Sequence, residues 1–337
     1  MKNPGDNDRD MKTKRAMQRW PYTKGLHDLG DGCYAYLQPD GTWGYSNAGL
    51  IVDSGESLLV DTLMDLKLTR EMLDHMRAAE PSAASIGTLV NTHSNPDHTN
   101  GNQLIANAQI IASTACLEEM KEQSSAHRYP MTGEAGAFFQ EVLSSRFDFS
   151  GIQPALPSRT FDRELALNVG SKEVRLFELG PAHTRGDIVA FVPADKTVFT
   201  GDILFAGGHP VIWEGPIGNW IRACDRILAW DVETVVPGHG PITDKSGVRA
   251  LKRYLEYVRD ESRKRFDAGM GYEEAARDIV LGTFSDWTDP ERVVVNVYAC
   301  YREFRSETER LPLPVLFGSM ARYRNGRKNQ ETGRGPR

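Results

Sequence analysis

The segment His93-Ser94-Asn95-Pro96-Asp97-His98 places two imidazoles and one carboxylate within a stretch of six residues. Side chains of these types on one loop can converge on a borderline metal ion such as zinc. Further candidate ligands follow later in the chain, each beside residues that make tight turns: His183 in GPAHTRGD, Asp202 in FTGD and His239 in VPGHG. The residue types and their surroundings therefore predict a metal centre.

The segments before these ligands have the pattern of short β-strands. IGTLVNTH leads into the first cluster, KTVFTGD into Asp202 and ETVVPGHG into His239. Upstream, CYAYLQ and GLIVDSGESLLVDT predict a sheet that opens the fold and ends in a loop containing Asp61. Residues 64–79 predict a helix that covers this sheet, and residues 99–107 predict another. The chemistry is thus expected at strand ends.

The domain organisation predicted from the sequence has three parts. Residues 1–25 are polar and predict a mobile leader. Residues 26–318 predict one domain, in which terminal helices begin at about residue 246 and Asp289-Pro290 starts one of them. Residues 319–337 are rich in Arg, Gly and Asn and predict a basic, disordered tail.

Composition excludes several function classes. The chain of 337 residues is 40% hydrophobic and has a net charge of -6, so no global basic field attracts nucleic acid. No apolar run is long enough for a membrane span, and the polar N-terminus favours a cytoplasmic protein. The cysteines are far apart and form no CxxC pair, which predicts reduced thiols; they are Cys33, Cys116, Cys224 and Cys300.

The order of these ligands resembles that of the metallo-β-lactamase superfamily from about residue 46 to residue 242. The resemblance implies an α/β fold, the αβ/βα sandwich, with metals in a cleft along one sheet edge and with additional C-terminal helices here. It also implies that Asp61 supports the metal ligands from behind. The usual first motif is His-x-His-x-Asp-His, and this chain has Asn95 in place of the second histidine.

The resemblance further implies two adjacent metal sites. The first comprises His93, His183 and Asn95, the second comprises Asp97, His98 and His239, and Asp202 bridges the two. An amide oxygen is a weaker donor than imidazole, so the Asn95 site is expected to bind zinc less tightly or to favour iron or manganese. One or two ions are compatible with this set. The alternative is that Asn95 only hydrogen-bonds a neighbouring ligand.

A divalent ion makes bound water a nucleophile at neutral pH and polarises a substrate carbonyl, so no protein nucleophile is required. The resemblance assigns to Asp97 the orientation of the attacking water and the transfer of a proton to the leaving group. The expected reaction is hydrolysis of an ester, thioester or lactone. The substrate is expected to be a small-molecule or carrier-bound acyl compound, and a homodimer is compatible with the sequence.

Substrate choice is expected to depend on residues 205–230, which are rich in aromatic side chains. We expect Trp213, Phe205 and His209 to line the pocket, whereas the residues after Trp220 have the spacing of a helix packed on a sheet. The Asn95-containing motif is also similar to that of a subgroup that includes thioesterase-cyclases acting on aromatic polyketide chains. A bulky aromatic acyl substrate follows as an expectation.

Other functions are compatible with the same ligands. One is a glyoxalase II-like hydrolase or a lactonase, although a glyoxalase II would keep both motif histidines. Another is a catalytically idle metal-binding scaffold, with Asn95 marking decay of the site, and a third is an iron redox enzyme. Metal analysis combined with ester and thioester substrates separates these hypotheses.

Overall fold

The computed structural model describes residues 20–105, 107–125 and 131–331, which contain two β-sheets. The first has the order β1-β2-β3-β4-β5-β6-β7, with β1 Gly25–Gly30, β2 Cys33–Leu37, β3 Ala48–Asp53, β4 Glu56–Val60, β5 Thr88–Val90, β6 Gln109–Ser113 and β7 Arg159–Phe161. The second has the order β12-β11-β10-β9-β8, with β8 Glu164–Val169, β9 Lys172–Glu178, β10 Ile188–Val192, β11 Thr197–Phe199 and β12 Thr234–Val236.

Strand direction changes within each sheet. β1 to β4 pair antiparallel, whereas β4 to β7 pair parallel, with Leu58 opposite Thr88 and Thr88 opposite Gln109. In the second sheet only the β11–β12 pair is parallel among the described strands. Parallel neighbours need crossover connections, and helices supply several of these.

Nine α-helices lie in the described ranges. They are α1 Leu66–Ala79, α2 Pro96–Thr99, α3 Thr114–Ser125, α4 Gly133–Phe139, α5 Ile217–Ala229, α6 Lys245–Asp267, α7 Tyr272–Asp278, α8 Val293–Arg305 and α9 Leu313–Glu331. A π-helical turn, Gln140–Ser144, directly follows α4. α1 matches the predicted helix, with Asp65 accepting the Leu68 N–H at its start (2.7 Å) and Pro81 following its end.

The layers follow from the burial of apolar side chains. Ile51 and Val60 of the first sheet pack with Val174 and Leu176 of the second, so the two sheets face each other. α1 covers the outer face of the first sheet, and α5, α6 and α8 cover the second sheet. The order helix, sheet, sheet, helix confirms the predicted αβ/βα sandwich with additional C-terminal helices.

Residues 99–107 do not form the helix that the sequence predicts. α2 ends at Thr99, and a 3-10 turn follows at Asn102–Ile105. At Gly101 the chain packs so closely on α1 that a Cβ atom would lie 2.2 Å from Thr69 Oγ1. The Asn102 side chain meanwhile bonds Asn91 and a distant carbonyl. Tertiary contacts therefore override the local helical pattern here.

The prediction of a disordered tail from residue 319 is wrong for the residues that the structure describes. α9 continues to Glu331, and it buries Met320, Ala321 and Tyr323. Its basic side chains pair with carboxylates, as Arg322 does with Glu273 at 2.6 Å. The composition of this segment did not indicate an apolar helix face, because basic residues surround the apolar ones in the sequence. Residues 332–337 lie outside the described residues.

The predicted leader also ends earlier than expected. Trp20 is buried, and its indole Nε1 donates to the Asp28 carbonyl at 2.9 Å. β1 then begins at Gly25. Residues 1–19 lie outside the described residues. None of the helices in the described ranges has both the length and the apolar character needed to cross a membrane.

Candidate metal centre

The predicted ligands lie in loops at one edge of the two sheets. His93 follows β5, and Pro96 sits in the first turn of the short helix α2, which contains Asp97 and His98. Proline suits this position because its ring fixes a helical φ and its missing N–H has no partner there. On the second sheet the ligands follow strand ends: His183 lies between β9 and β10, Asp202 follows β11 and His239 follows β12.

Asp202 is the centre of this group. Its Oδ2 lies 3.2 Å from His183 Nε2, 3.5 Å from His239 Nε2 and 3.8 Å from His93 Nε2. Its Oδ1 lies 3.2 Å from His98 Nε2. The side chain is 4% exposed. The Asp202 carboxylate therefore faces all four imidazoles, as a bridging ligand would.

Asp97 lies at the edge of the group. Its Oδ2 is 3.3 Å from His239 Nε2 and 3.9 Å from His98 Nε2, and its side chain is 13% exposed. Donor atoms within 4.8 Å of one another form two groupings: His93, His98 and Asp202, and then Asp97, His98 and His239. His183 belongs to neither grouping but lies 3.2 Å from Asp202, so the structure brings together all six side chains named from the sequence.

The donor atoms of the cluster are suited to bind a metal ion. His93 Nε2, His98 Nε2 and Asp202 Oδ1 are buried and make no hydrogen bond, although His98 Nε2 and Asp202 Oδ1 are near each other. A buried polar atom without a partner costs about 1–3 kcal/mol. A divalent cation would satisfy these lone pairs together, and imidazole with carboxylate is a donor set that suits zinc.

In three of the histidines the ring nitrogen Nδ1, which points away from the cluster, faces a hydrogen-bond acceptor of the protein. His98 Nδ1 lies 2.9 Å from Asp61 Oδ2, His183 Nδ1 lies 2.7 Å from the Val211 carbonyl, and His239 Nδ1 lies 3.1 Å from both the Gly41 and Tyr45 carbonyls. Each acceptor holds the proton on Nδ1. In the neutral ring the lone pair of Nε2 is therefore directed at the centre of the cluster, as in metal-bound histidines with an oriented ring.

Asp61 organises the first loop through Thr92. Its carboxylate accepts the Thr92 N–H at 2.7 Å and the Thr92 hydroxyl at 2.6 Å. Because that hydroxyl donates to Asp61, it can accept from His93 Nδ1, which lies 3.0 Å away. Burial raises the pKa of Asp61, while His98 and Thr92 oppose this shift. One buried carboxylate thus orients two of the four imidazoles.

Asn95 also lies within the cluster. Its Oδ1 is 2.7 Å from His183 Nε2. Since His183 Nδ1 donates to a carbonyl, the neutral ring has a bare lone pair at Nε2, so two acceptors face each other. Either a cation lies beside both atoms, or the amide is turned so that Nδ2 donates to Nε2. In both arrangements Asn95 touches a ligand directly.

The four imidazoles of the cluster form two pairs according to the direction in which their pKa values are shifted. Burial lowers the pKa of His93 and of His183. Burial acts the same way on His98 and His239, but the nearby carboxylates outweigh it, raising the pKa of His98 well above its usual value and that of His239 to about 9. Burial alone would raise the pKa of Asp97, yet the imidazoles of His98 and His239 lower it to about 2. The metal-free cluster therefore holds ionised carboxylates.

The three residues expected to line the substrate pocket lie in different surroundings. Phe205 is buried, and its ring stacks on His239 with centroids 5.0 Å apart. His209 is fully buried in the C-terminal helical core, where its ring contacts Tyr254 and Trp287. Of the three, Trp213 alone is partly exposed. The structure places Phe205 behind a ligand and His209 away from the cleft wall.

Trp213 sits directly on the His183 loop. Its backbone N–H donates to the His183 carbonyl at 3.1 Å. Its ring lies parallel to that of Phe317 in α9, with centroids 6.2 Å apart, and 6.4 Å from that of Trp43. Trp43 and Phe317 were not predicted to lie near Trp213, because no sequence pattern links aromatic residues this far apart in the chain. Thr92 and the carbonyls of the orienting loops were not predicted either.

Comparison with known proteins identifies the family of this arrangement. The family model for the Metallo-beta-lactamase superfamily matches residues 41–239. A linear primary-alkylsulfatase of Pseudomonas sp. is 23% identical over 264 residues, which are 69% of this chain and 48% of that protein. A hydroxyacylglutathione hydrolase of Rhodospirillum rubrum is 29% identical over 161 residues, 48% of this chain and 50% of that protein. The chain therefore spans about half the length of these two relatives.

One further relative is matched over more of its own length, and one solved structure is matched over more of this chain. The acyl-coenzyme A thioesterase MBLAC2 of Bos taurus is 26% identical over 215 residues, 58% of this chain and 72% of that protein. The solved structure of the stereoselective inverting sec-alkylsulfatase Pisa1 from Pseudomonas sp. has a TM-score of 0.64 at 14% identity, covering 92% of this chain and 57% of that chain. The structural likeness concerns the fold. From the family match and the ligand geometry together, the chain belongs to the metallo-β-lactamase superfamily.

Proposed function

We propose that this protein is a metal-dependent hydrolase that cleaves an ester, thioester or lactone. The observation that supports this most directly is the cluster of unpartnered imidazole and carboxylate atoms around Asp202. Superfamily relatives named as hydrolases include a thioesterase and a hydroxyacylglutathione hydrolase. The same cluster without turnover would be a metal-binding scaffold, which is the alternative that the experiment below addresses.

A bound divalent ion would supply a nucleophile from water at neutral pH and would polarise the scissile carbonyl. We propose zinc, held by His93 and His183 with Asn95 at one site, by Asp97, His98 and His239 at the other, and by Asp202 between them. Asn95 would weaken the first site, because an amide is a poorer donor than imidazole. One tightly bound ion and one weakly bound ion are then expected.

Asp97 has the position and charge for proton transfer. It is the most exposed of the six ligands, at 13%, and a carboxylate beside a bound cation stays ionised at neutral pH. An ionised carboxylate at the mouth of the cluster can accept a proton from the attacking water and pass it to the leaving group. The leaving alcohol or thiol would depart protonated.

An aromatic group beside the cluster supports a bulky, apolar acyl substrate. Trp213 and Trp43 contact Phe317, which in turn lies 5.7 Å from Phe139 and 6.0 Å from Phe138. These rings join the His183 loop to α4 and α9. Of these rings, Trp213 and Phe139 are partly exposed, and such aromatic side chains provide large contact area for a ring-bearing acyl group. An acyl thioester or ester with an aromatic or polyketide-type chain, free or carrier-bound, is the substrate we propose.

A second candidate reaction is hydrolysis of a sulfate ester. The observation that favours it is the likeness to two alkylsulfatases, one 23% identical over 69% of this chain and one whose fold matches 92% of it. The apolar group around Trp213 would equally suit an alkyl chain. The two candidates differ in the bond that is cleaved and not in the side chains that would cleave it.

The test is a substrate panel with protein reconstituted in zinc. Aryl esters, acyl thioesters, lactones and alkyl sulfates would each be assayed at equal metal loading, with chelator-treated protein as the blank. We expect turnover of esters or thioesters that rises with acyl size and disappears with the metal. Preference for alkyl sulfates would select the second candidate. Loaded protein that turns over none of the four classes would refute the hydrolase proposal.

A further inference from the structure

Glu119 is a buried carboxylate beside the metal cluster but outside it. It lies in α3, the helix that follows β6, and it is 8% exposed. Burial raises its pKa, while Ser94 and Arg185 oppose this shift. A buried carboxylate is expensive unless it is hydrogen-bonded or paired, so its partners indicate what it does.

Those partners come from two different metal-binding loops. Glu119 Oε2 accepts the hydroxyl of Ser94 at 2.8 Å and the backbone N–H of Arg185 at 3.4 Å. Its Oε1 lies 3.6 Å from Arg185 Nε. Ser94 is the residue between His93 and Asn95, and Arg185 is two residues after His183. One carboxylate therefore links the His93–Asn95 loop to the His183 loop.

α3 is a rigid support for this link. Gly186, next to Arg185, packs so tightly on the start of α3 that a Cβ atom would lie 2.3 Å from the backbone nitrogen of Cys116. Ser113 Oγ, at the end of β6, donates to the Gly186 carbonyl at 2.7 Å. Gln123, one turn after Glu119, donates to Ser94 Oγ at 3.2 Å. Both loops are thus fastened to the same helix.

We propose that Glu119 is a positioning residue that fixes the separation of Asn95 from His183, and through it the affinity for the ion these two residues face. The contact it controls is the approach of Asn95 Oδ1 to His183 Nε2 at 2.7 Å. The inference rests on the proposed metal centre but not on the proposed hydrolysis. Removal of a group that orients a metal ligand costs about 10–100-fold in metal affinity.

The chain offers a matched control on the same helix. Glu122 pairs with the outer side of the same arginine, with Arg185 Nη2 lying 2.5 Å from Glu122 Oε2, and its side chain is 60% exposed. Glu122→Gln removes the same charge at nearly the same place without touching Ser94. It should leave zinc binding unchanged, since exposed ion pairs contribute little.

The measurement is calorimetry of zinc added to the metal-free protein, which needs no substrate. Glu119→Ala should weaken the lower-affinity zinc about 10–100-fold and leave the other zinc unchanged. Glu119→Gln should recover part of this loss, because its amide oxygen still accepts the Ser94 hydroxyl. Ser94→Ala provides a second test if Glu119→Ala does not fold, and it should weaken the same zinc.

Several results would overturn the link. Wild-type affinity in both Glu119→Ala and Ser94→Ala would do so, as would an equal loss at both zinc ions or an equal effect of Glu122→Gln. The proposal would also fail if the wild-type protein binds only one zinc and His239→Ala abolishes that binding. In that case no ion would lie against Asn95 and His183. Failure of the hydrolase proposal would instead appear as zinc-loaded protein without turnover, with these affinities unaffected.

Discussion

Asp61→Ala should be among the most damaging single changes near the metal centre, although Asp61 touches no metal in the proposed arrangement. The carboxylate is 1% exposed and accepts three hydrogen bonds, from the Thr92 N–H, the Thr92 hydroxyl and His98 Nδ1. Alanine leaves these three buried donors without an acceptor. The same change releases the orientation of both His93 and His98.

The magnitude follows from counting those donors. Each buried donor left unsatisfied costs about 1–3 kcal/mol, and neighbouring effects are not fully additive. We therefore expect the free energy of unfolding of the metal-free protein to fall by about 3–5 kcal/mol. Loss of orientation at two imidazoles should in addition weaken zinc by about 10–100-fold or more.

Urea unfolding in the presence of a chelator measures the first effect, and calorimetry with zinc measures the second. Asp53→Ala is the matched control, because Asp53 accepts a backbone N–H and a hydroxyl from Ser171 at 2.7 and 2.8 Å on the protein surface. There water replaces the lost acceptor, so the loss of unfolding free energy should be much smaller than for Asp61→Ala. If Asp61→Ala costs no more than Asp53→Ala, the assignment of Asp61 as the support of the cluster is refuted.

Four further predictions concern the cluster itself. His98→Ala and His239→Ala should each abolish hydrolysis and lower bound zinc, measured by elemental analysis of the folded variants, and full zinc with normal turnover would remove that residue from the ligand set. Asp97→Asn, checked for equal metal loading, should lose about 10²-fold or more in kcat, and a normal rate would exclude proton transfer by Asp97. Asn95→His should tighten the weaker zinc by adding an imidazole, and identical calorimetric curves would show that Asn95 does not contact metal. In metal-free protein, burial lowers the pKa of His239 but the carboxylates of Asp202 and Asp97 raise it to about 9 from 6.5, so this charge stabilises the fold fully below pH 6.5 and ceases to do so as the pH rises through about 9. Melting temperatures with chelator should therefore fall across that window, with a smaller fall in His239→Gln.

The sequence was informative where the chemistry depends on side-chain type. Imidazole and carboxylate are uncommon at the ends of buried strands, so His93, His183 and Asp202 could be singled out without coordinates. The order of these groups along the chain then indicated the superfamily and its sandwich fold, both of which are confirmed. Period-2 and period-3.6 patterns were sufficient to place most of the strands and α1.

The sequence was uninformative where the chemistry depends on backbone or on distant packing. The carbonyls of Val211 and Tyr45 orient imidazoles, but every residue has a carbonyl, so no residue type marks them. Thr92 gained its role only from the position of Asp61. α9 was missed because its apolar face is narrow and is surrounded by basic side chains, and its burial requires α4, whose contacts are remote in sequence.

The division of the ligands between the two sheets has a consequence for the order of events during folding. His93 and His98 come from the first sheet, whereas His183 and Asp202 come from the second, so neither half of the chain can present the whole set. The rate of zinc uptake during refolding would therefore report the rate at which the two sheets dock, because high affinity for zinc appears only after they dock. Contacts between residues this far apart in sequence form slowly. Zinc that is present from the start of refolding should thus bind tightly only after the two sheets have docked.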